Sequence, residues 1–147
     1  MAAAPLNAVT NIPKVELSSS SGPVAMPMIG FGTAADSNDG STLISAVQES
    51  IKLGYTHFDT ASAYGSEQAL GEAIDQALTH GLVTSRDHLF ITSKLWPCDA
   101  HAHLVLPSLQ KSLRSVFTKF SLRYVQYNKN KKSHQLANIH SLEICNI

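Results

Sequence analysis

Apolar residues recur at helical spacing in three stretches, and short strand-like runs stand between them. Leu43, Ile44, Val47 and Ile51 make one stripe. Ala69, Leu70, Ala73, Ile74, Ala77 and Leu78 make a second, and Leu106, Leu109, Leu113, Val116 and Phe117 a third. Steps of three and four place each set on one helical face. Before each stripe lies a run read as a buried strand: Met28–Thr33, Tyr55–Thr60 and His88–Lys94. Strand and helix alternating three times predict an α/β fold with a parallel sheet and helical crossovers. Upstream, Lys14–Leu17 and Val24–Met26 flank Ser18–Gly22 and predict a β-hairpin.

The punctuation agrees. Asp36–Ser41 is rich in turn and N-cap residues ahead of the first stripe, and Gly54 stands where a left-handed helix end belongs. Ser66 is placed to cap the second helix, with Glu67 at the positive end of its dipole, and His80-Gly81 mark its end. Pro107 is tolerable only in the first turn of the third helix. From Phe117 the periodicity fails. Tyr127–Gln135 is polar and basic, which predicts a tail that is disordered from about Asn128.

Composition adds a boundary. The 147 residues are 44% hydrophobic, as a folded domain requires, and Lys+Arg equals Asp+Glu at 11 each. Residues 1–116 hold 6 basic against 10 acidic side chains, and residues 117–147 hold 5 against 1, so −4 is balanced by +4. The reading is therefore a flexible N-terminus over 1–11, a domain over 12–116 and a foreign tail over 117–147. Zero net charge points to neither nucleic acid nor a membrane surface. Cys98 and Cys145 form no disulfide framework and fit a reducing compartment. With no secretory signal and no apolar run of membrane-spanning length, a cytoplasmic protein is expected.

Several motifs offer chemistry. Gly30-Phe31-Gly32-Thr33-Ala34-Ala35 matches the dinucleotide string G-x-G-x-x-A, but that string binds pyrophosphate only where a helix opens at its end. Here the helical stripe begins near Leu43, after Asp36 and Asp39, so a strand end of small residues is the better reading. His101 and His103 share no helix face and have no third ligand, so no metal site is expected. Cys98 reads as an inert thiol. Asp59 and Lys94 stand at the carboxyl ends of consecutive strands, and Tyr64 lies in the loop between them. A lysine cation beside a phenol favours the phenolate, and a carboxylate would hold that cation in place. Such a trio suits proton donation to a carbonyl. On spacing alone it stands level with a helix-approach acid, a surface aromatic and a surface lysine.

Gly54–Gly71, Gly54-Tyr55-Thr56-His57-Phe58-Asp59-Thr60-Ala61-Ser62-Ala63-Tyr64-Gly65-Ser66-Glu67-Gln68-Ala69-Leu70-Gly71, closely resembles the first signature of the aldo-keto reductases. The resemblance continues through Gly30–Thr33, Ile91–Trp96 and Leu106–Leu113, covering roughly residues 12 to 115. Ser18–Gly22 and Ala61–Glu67 look most like the plant branch near chalcone reductase. That family implies a (β/α)8 TIM barrel that reduces aldehydes and ketones with NADPH. Here it implies the hairpin and the first three βα units, read as a truncated form. Carried over, the family makes Tyr64 the general acid, Lys94 the cation beside it, and Asp59 the partner of Lys94 near the cofactor ribose. Gly32 and Thr33 would lie under the nicotinamide, and Trp96 would wall the substrate pocket. The family's catalytic histidine, in a Leu-Ile-His-Trp-Pro-like run, has no counterpart after Leu113-Arg114, and neither His134 nor His140 takes its role. Partial barrel strands leave open edges, so self-association joins a small carbonyl substrate among the expected partners. The expectation is a family oxidoreductase whose 147 residues alone are catalytically incompetent; the alternative is a non-enzymatic product that is functionless or binds full-length paralogues.

Overall fold

Three parallel strands and their crossover helices form the body, as the periodicity requires. The computed structural model describes residues 12–18, 22–35, 39–116, 124–127 and 142–145. Strands β1 (Lys14–Leu17) and β2 (Val24–Pro27) pair antiparallel as the hairpin. There follow β3 (Phe31–Gly32), α1 (Gly40–Lys52), β4 (His57–Asp59), α2 (Glu67–Thr79), β5 (Phe90–Ser93) and α3 (Val105–Val116). β3 pairs parallel with β4, and β4 with β5.

Alternation along the strands separates two faces. Phe58 of β4 and Ile91 of β5 join Val47, Ile51, Leu70, Ala73, Ile74, Ala77, Leu109 and Val116 in one core between sheet and helices. The opposite face carries Asp59, His57 and Thr92. The hairpin packs there, Val24 and Phe90 forming a second, smaller core. His57 fastens this junction, its Nδ1 lying 2.9 Å from the Pro27 carbonyl and its Nε2 3.0 Å from Thr92 Oγ1.

Helix ends follow their local chemistry. Asp39 caps α1 by accepting from the Ser41 backbone N–H at 3.1 Å, and it accepts from the Ser41 and Thr42 hydroxyls. Hydrogen bonds from Thr42 and then Ser41 hold its carboxyl below the ordinary value. The cap is therefore complete at neutral pH and is lost as pH falls through that lowered value. Gly54 takes φ 93° and Gly81 φ 69°, each just past a helix end, as a left-handed cap demands.

α2 lies against both α1 and α3. Two devices seat the end of α3. Buried Arg86 donates to the Val116 carbonyl and reaches Asp75 at 3.4 Å. Burial pushes its guanidinium down to about 10, with Asp75 pulling the other way. Gly71 gives the second: a Cβ there would stand 2.5 Å from the Ser115 carbonyl oxygen and 3.1 Å from that of Val116. Alanine gains ~1 kcal/mol of helix propensity at such a site, while overpacking costs ~1–3 kcal/mol. The obstructing atoms are backbone, so the clash dominates. Gly71→Ala is expected to lower the unfolding free energy by up to ~2 kcal/mol. Urea denaturation measures it, and an unmoved or raised midpoint would contradict the packing.

Three expectations are corrected. The first barrel-type strand is shorter than Met28–Thr33, and Met28 and Ile29 are exposed, because ladder pairing begins only at Phe31. Leu106 is also exposed, and the inner face of α3 is made instead by Ser108, Leu109, Ser112 and Val116. The tail expected to be disordered from Asn128 contains a strand. β7 (Leu142–Cys145) pairs antiparallel with β5, and β6 (Tyr124–Tyr127) pairs antiparallel with β7, giving the order β3-β4-β5-β7-β6. An unpaired strand edge is a template for such addition, so the β5 edge expected to be open is covered. Residues 1–11, 117–123 and 128–141 lie outside the described residues, and so do the flexibility and disorder expected of them. Among the described residues the sheet is open rather than closed into a barrel.

Candidate active site

The strands end where the candidate residues gather. Asp59 closes β4, and Lys94 follows β5 directly. Tyr64 sits on a single 3-10 turn, Ser62–Tyr64, held by its backbone N–H donating 2.9 Å to the Ala61 carbonyl. Gly65 then turns the chain toward α2 with φ 66°, a conformation that favours glycine.

Lys94 is the hub. Its ammonium donates to Asp59 Oδ1 and lies 3.2 Å from the Thr60 carbonyl and 3.2 Å from the Tyr64 hydroxyl. It also stands 4.8 Å from the centroid of the Tyr64 ring. Side-chain exposure is 30% for Lys94 and 37% for Asp59, so the pair is half-buried and reachable by a ligand. The structure thus brings together the three residues that spacing alone had left level with a bland reading.

The other candidates divide. Gly32 is exposed, and a Cβ added there meets nothing within 4 Å, so its backbone is open to a ligand. Thr33 is buried, its hydroxyl 2.8 Å from Ser66 Oγ and its N–H donating to the Asp59 carbonyl at 2.9 Å. Its side chain therefore points to Ser66 rather than into the opening over Gly32. Trp96 is exposed, two residues beyond Lys94. Cys98 is a free, exposed thiol. His101 and His103 are exposed and stack with ring centroids 6.0 Å apart. Among the described residues no group of three or more His, Cys, Asp or Glu could hold a metal ion.

Sequence reasoning missed the buried polar seat beneath these residues. Ser66 occupies the N-cap position of α2 but makes no side-chain cap bond. Its hydroxyl instead lies 2.8 Å from Thr33 Oγ1 and 3.1 Å from Thr60 Oγ1. Glu67, read only as a dipole partner, is buried and accepts from Ser93 Oγ at 2.6 Å. The available signal was the fall of Thr33, Thr60 and Ser93 at three strand ends.

Chemically, a cationic donor fixed between a carboxylate and a phenol can stabilise a phenolate when the phenol gives up its proton. Gly32, whose backbone is open, pairs across the β3–β4 ladder with the half-exposed Asp59.

Comparison with known proteins bears on the same residues. The model of the Aldo/keto reductase family matches residues 28–145. An NAD(P)H-dependent 6'-deoxychalcone synthase of Glycine max is 50% identical over 109 residues, covering 74% of this chain and 34% of that protein. NADPH-dependent codeinone reductase 1-4 of Papaver somniferum is 54% identical over 106 residues, covering 71% and 32%. The crystal structure of a Bombyx mori aldo-keto reductase in complex with NADP superposes with a TM-score of 0.65 at 34% identity. That match covers 74% of this chain and 35% of that one. The chain spans about a third of the length of the curated relatives it matches. No helix among the described residues is long and apolar enough to cross a membrane.

Proposed function

The chain belongs to the aldo/keto reductase family, and from that premise we propose that it carries the proton-donating half of an NADP(H)-dependent reduction of an aldehyde or ketone. The observation that carries this reading is the Lys94 ammonium, paired with Asp59 and 3.2 Å from the Tyr64 hydroxyl. Tyr64 donates its proton to the carbonyl oxygen. Lys94 stabilises the phenolate left behind, and Asp59 with the Thr60 carbonyl fixes the ammonium in place. NADPH, when bound, supplies the hydride that reduces the carbonyl carbon to the alcohol.

Gly32 would offer backbone to the nicotinamide end of the bound cofactor, Asp59 would lie by its ribose, and Trp96 would wall the substrate side. Thr33 contributes through its bond to Ser66. The names of the plant relatives suggest a carbonyl of specialised metabolism as substrate class.

Taken alone, the 147 residues are expected to bind NADPH weakly and to turn over no carbonyl. Among the described residues, the ends of the three parallel strands bring Gly32, Asp59 and Lys94 toward a ligand. A titration followed by nucleotide fluorescence, with NADPH consumption measured over a panel of aldehydes and ketones, tests this. Tight binding together with turnover would overturn it. The donor role is tested separately by joining residues 12–116 to the remaining length of the codeinone reductase relative, where NADPH-dependent reduction is expected to return.

A further inference from the structure

Two consecutive residues at the start of α2 hold the ends of three neighbouring strands. Ser66 Oγ lies 2.8 Å from Thr33 Oγ1, just past β3, and 3.1 Å from Thr60 Oγ1, just past β4. Glu67 Oε1 accepts from Ser93 Oγ, at the end of β5, at 2.6 Å. All five side chains are buried, with Thr33 2%, Thr60 0%, Ser66 7%, Glu67 5% and Ser93 1% exposed.

We infer that Ser66 and Glu67 are positioning residues that set the Lys94–Tyr64 contact, Glu67 acting through Ser93. Tyr64 stands two residues before Ser66, and Lys94 is the residue after Ser93. A shift of Ser93 against α2 therefore moves Lys94 against Tyr64, with one peptide unit between them. Capping does not account for Ser66, whose side chain makes no cap bond. Favourable placement at a helix N-terminus does not by itself account for a Glu67 side chain turned inward, because burying a carboxylate is costly unless it is hydrogen-bonded. Ser93 supplies that bond. Sub-ångström placement of a proton donor matters because misplacement by about 1 Å can cost on the order of 10²-fold in rate.

This inference rests on the Tyr64–Lys94 reading above, and its test separates the two. The 147-residue chain is labelled with ¹³C at tyrosine, and the Tyr64 resonance is assigned by its loss in Tyr64→Phe. Lys94→Met is expected to displace that resonance. In a Glu67→Ala background the displacement should be at least halved, as a double-substitution cycle reads it. Glu67→Gln, which keeps an acceptor for Ser93, should retain it. Gly71→Ala, which weakens helix packing away from the seat, should also retain it, so that lost stability is told apart from lost placement. If Glu67→Ala does not fold, Ser93→Ala removes the same bond from the other side. A full displacement in the Glu67→Ala or Ser93→Ala protein overturns the inference, as does equal loss in Glu67→Gln or in Gly71→Ala. No displacement by Lys94→Met in the otherwise unchanged chain overturns the Tyr64–Lys94 reading itself, and the inference falls with it.

Discussion

Tyr64→Phe is expected to lower kcat by ~10²- to 10⁴-fold, the usual contribution of a positioned general acid. The measurement belongs in the chimera that joins residues 12–116 to the rest of the codeinone reductase relative, since the chain spans 32% of that protein. The change removes one oxygen and little else. The ring stays in place on its 3-10 turn and 4.8 Å from the Lys94 ammonium, so packing and the cation–ring contact survive. What is lost is the only proton Tyr64 can give, and the oxygen to which Lys94 donates at 3.2 Å. An interaction made chiefly in the transition state lowers kcat and kcat/KM together. KM and the affinity for NADPH should therefore stay close to those of the parent. A kcat within a few-fold of the parent would mean that another group protonates the carbonyl, and the proposed role would fail.

Much of this site was legible because it depends on local rules. The stripes over Leu43–Ile51 and Ala69–Leu78 announced α1 and α2, and Gly54 and Gly81 marked their ends by the backbone conformation those positions need. Asp59 and Lys94 could be placed together because parallel strands joined by helices bring their carboxyl ends to one side. Where the reading failed, the deciding partner was distant. Ser66 has the residue type of a cap, yet its bonds are set by Thr33 and Thr60, which only the folded sheet brings near. The burial of Arg86 depends on the α3 carbonyl of Val116, thirty residues away. Met28 and Ile29 are apolar, but apolar character alone does not say whether anything covers them. Leu142–Cys145 was missed because four residues carry too short a pattern to specify a strand, and their pairing comes from the edge of β5.

Lys94→Met tests the other half of the donor. In the same chimera the loss of the ammonium removes the charge-assisted hydrogen bond to the phenol, a contact of ~1.5–3 kcal/mol. At ~1.4 kcal/mol for each tenfold in rate, kcat should fall by roughly 10- to 150-fold. Stability should respond much less. The Lys94–Asp59 pair is half-exposed, with side chains 30% and 37% accessible, and pairs of that kind contribute ~1 kcal/mol or less. A small change in urea midpoint with a large fall in kcat would therefore separate chemistry from folding. Lys94→Arg sharpens the result. It keeps the charge, but a planar guanidinium cannot meet Asp59, the Thr60 carbonyl and Tyr64 with the geometry of a compact ammonium. Only partial recovery of kcat is expected. Full recovery would show that charge near Tyr64 is sufficient and that the three-way placement of the ammonium is dispensable. An undiminished kcat in Lys94→Met would remove Lys94 from the donor altogether.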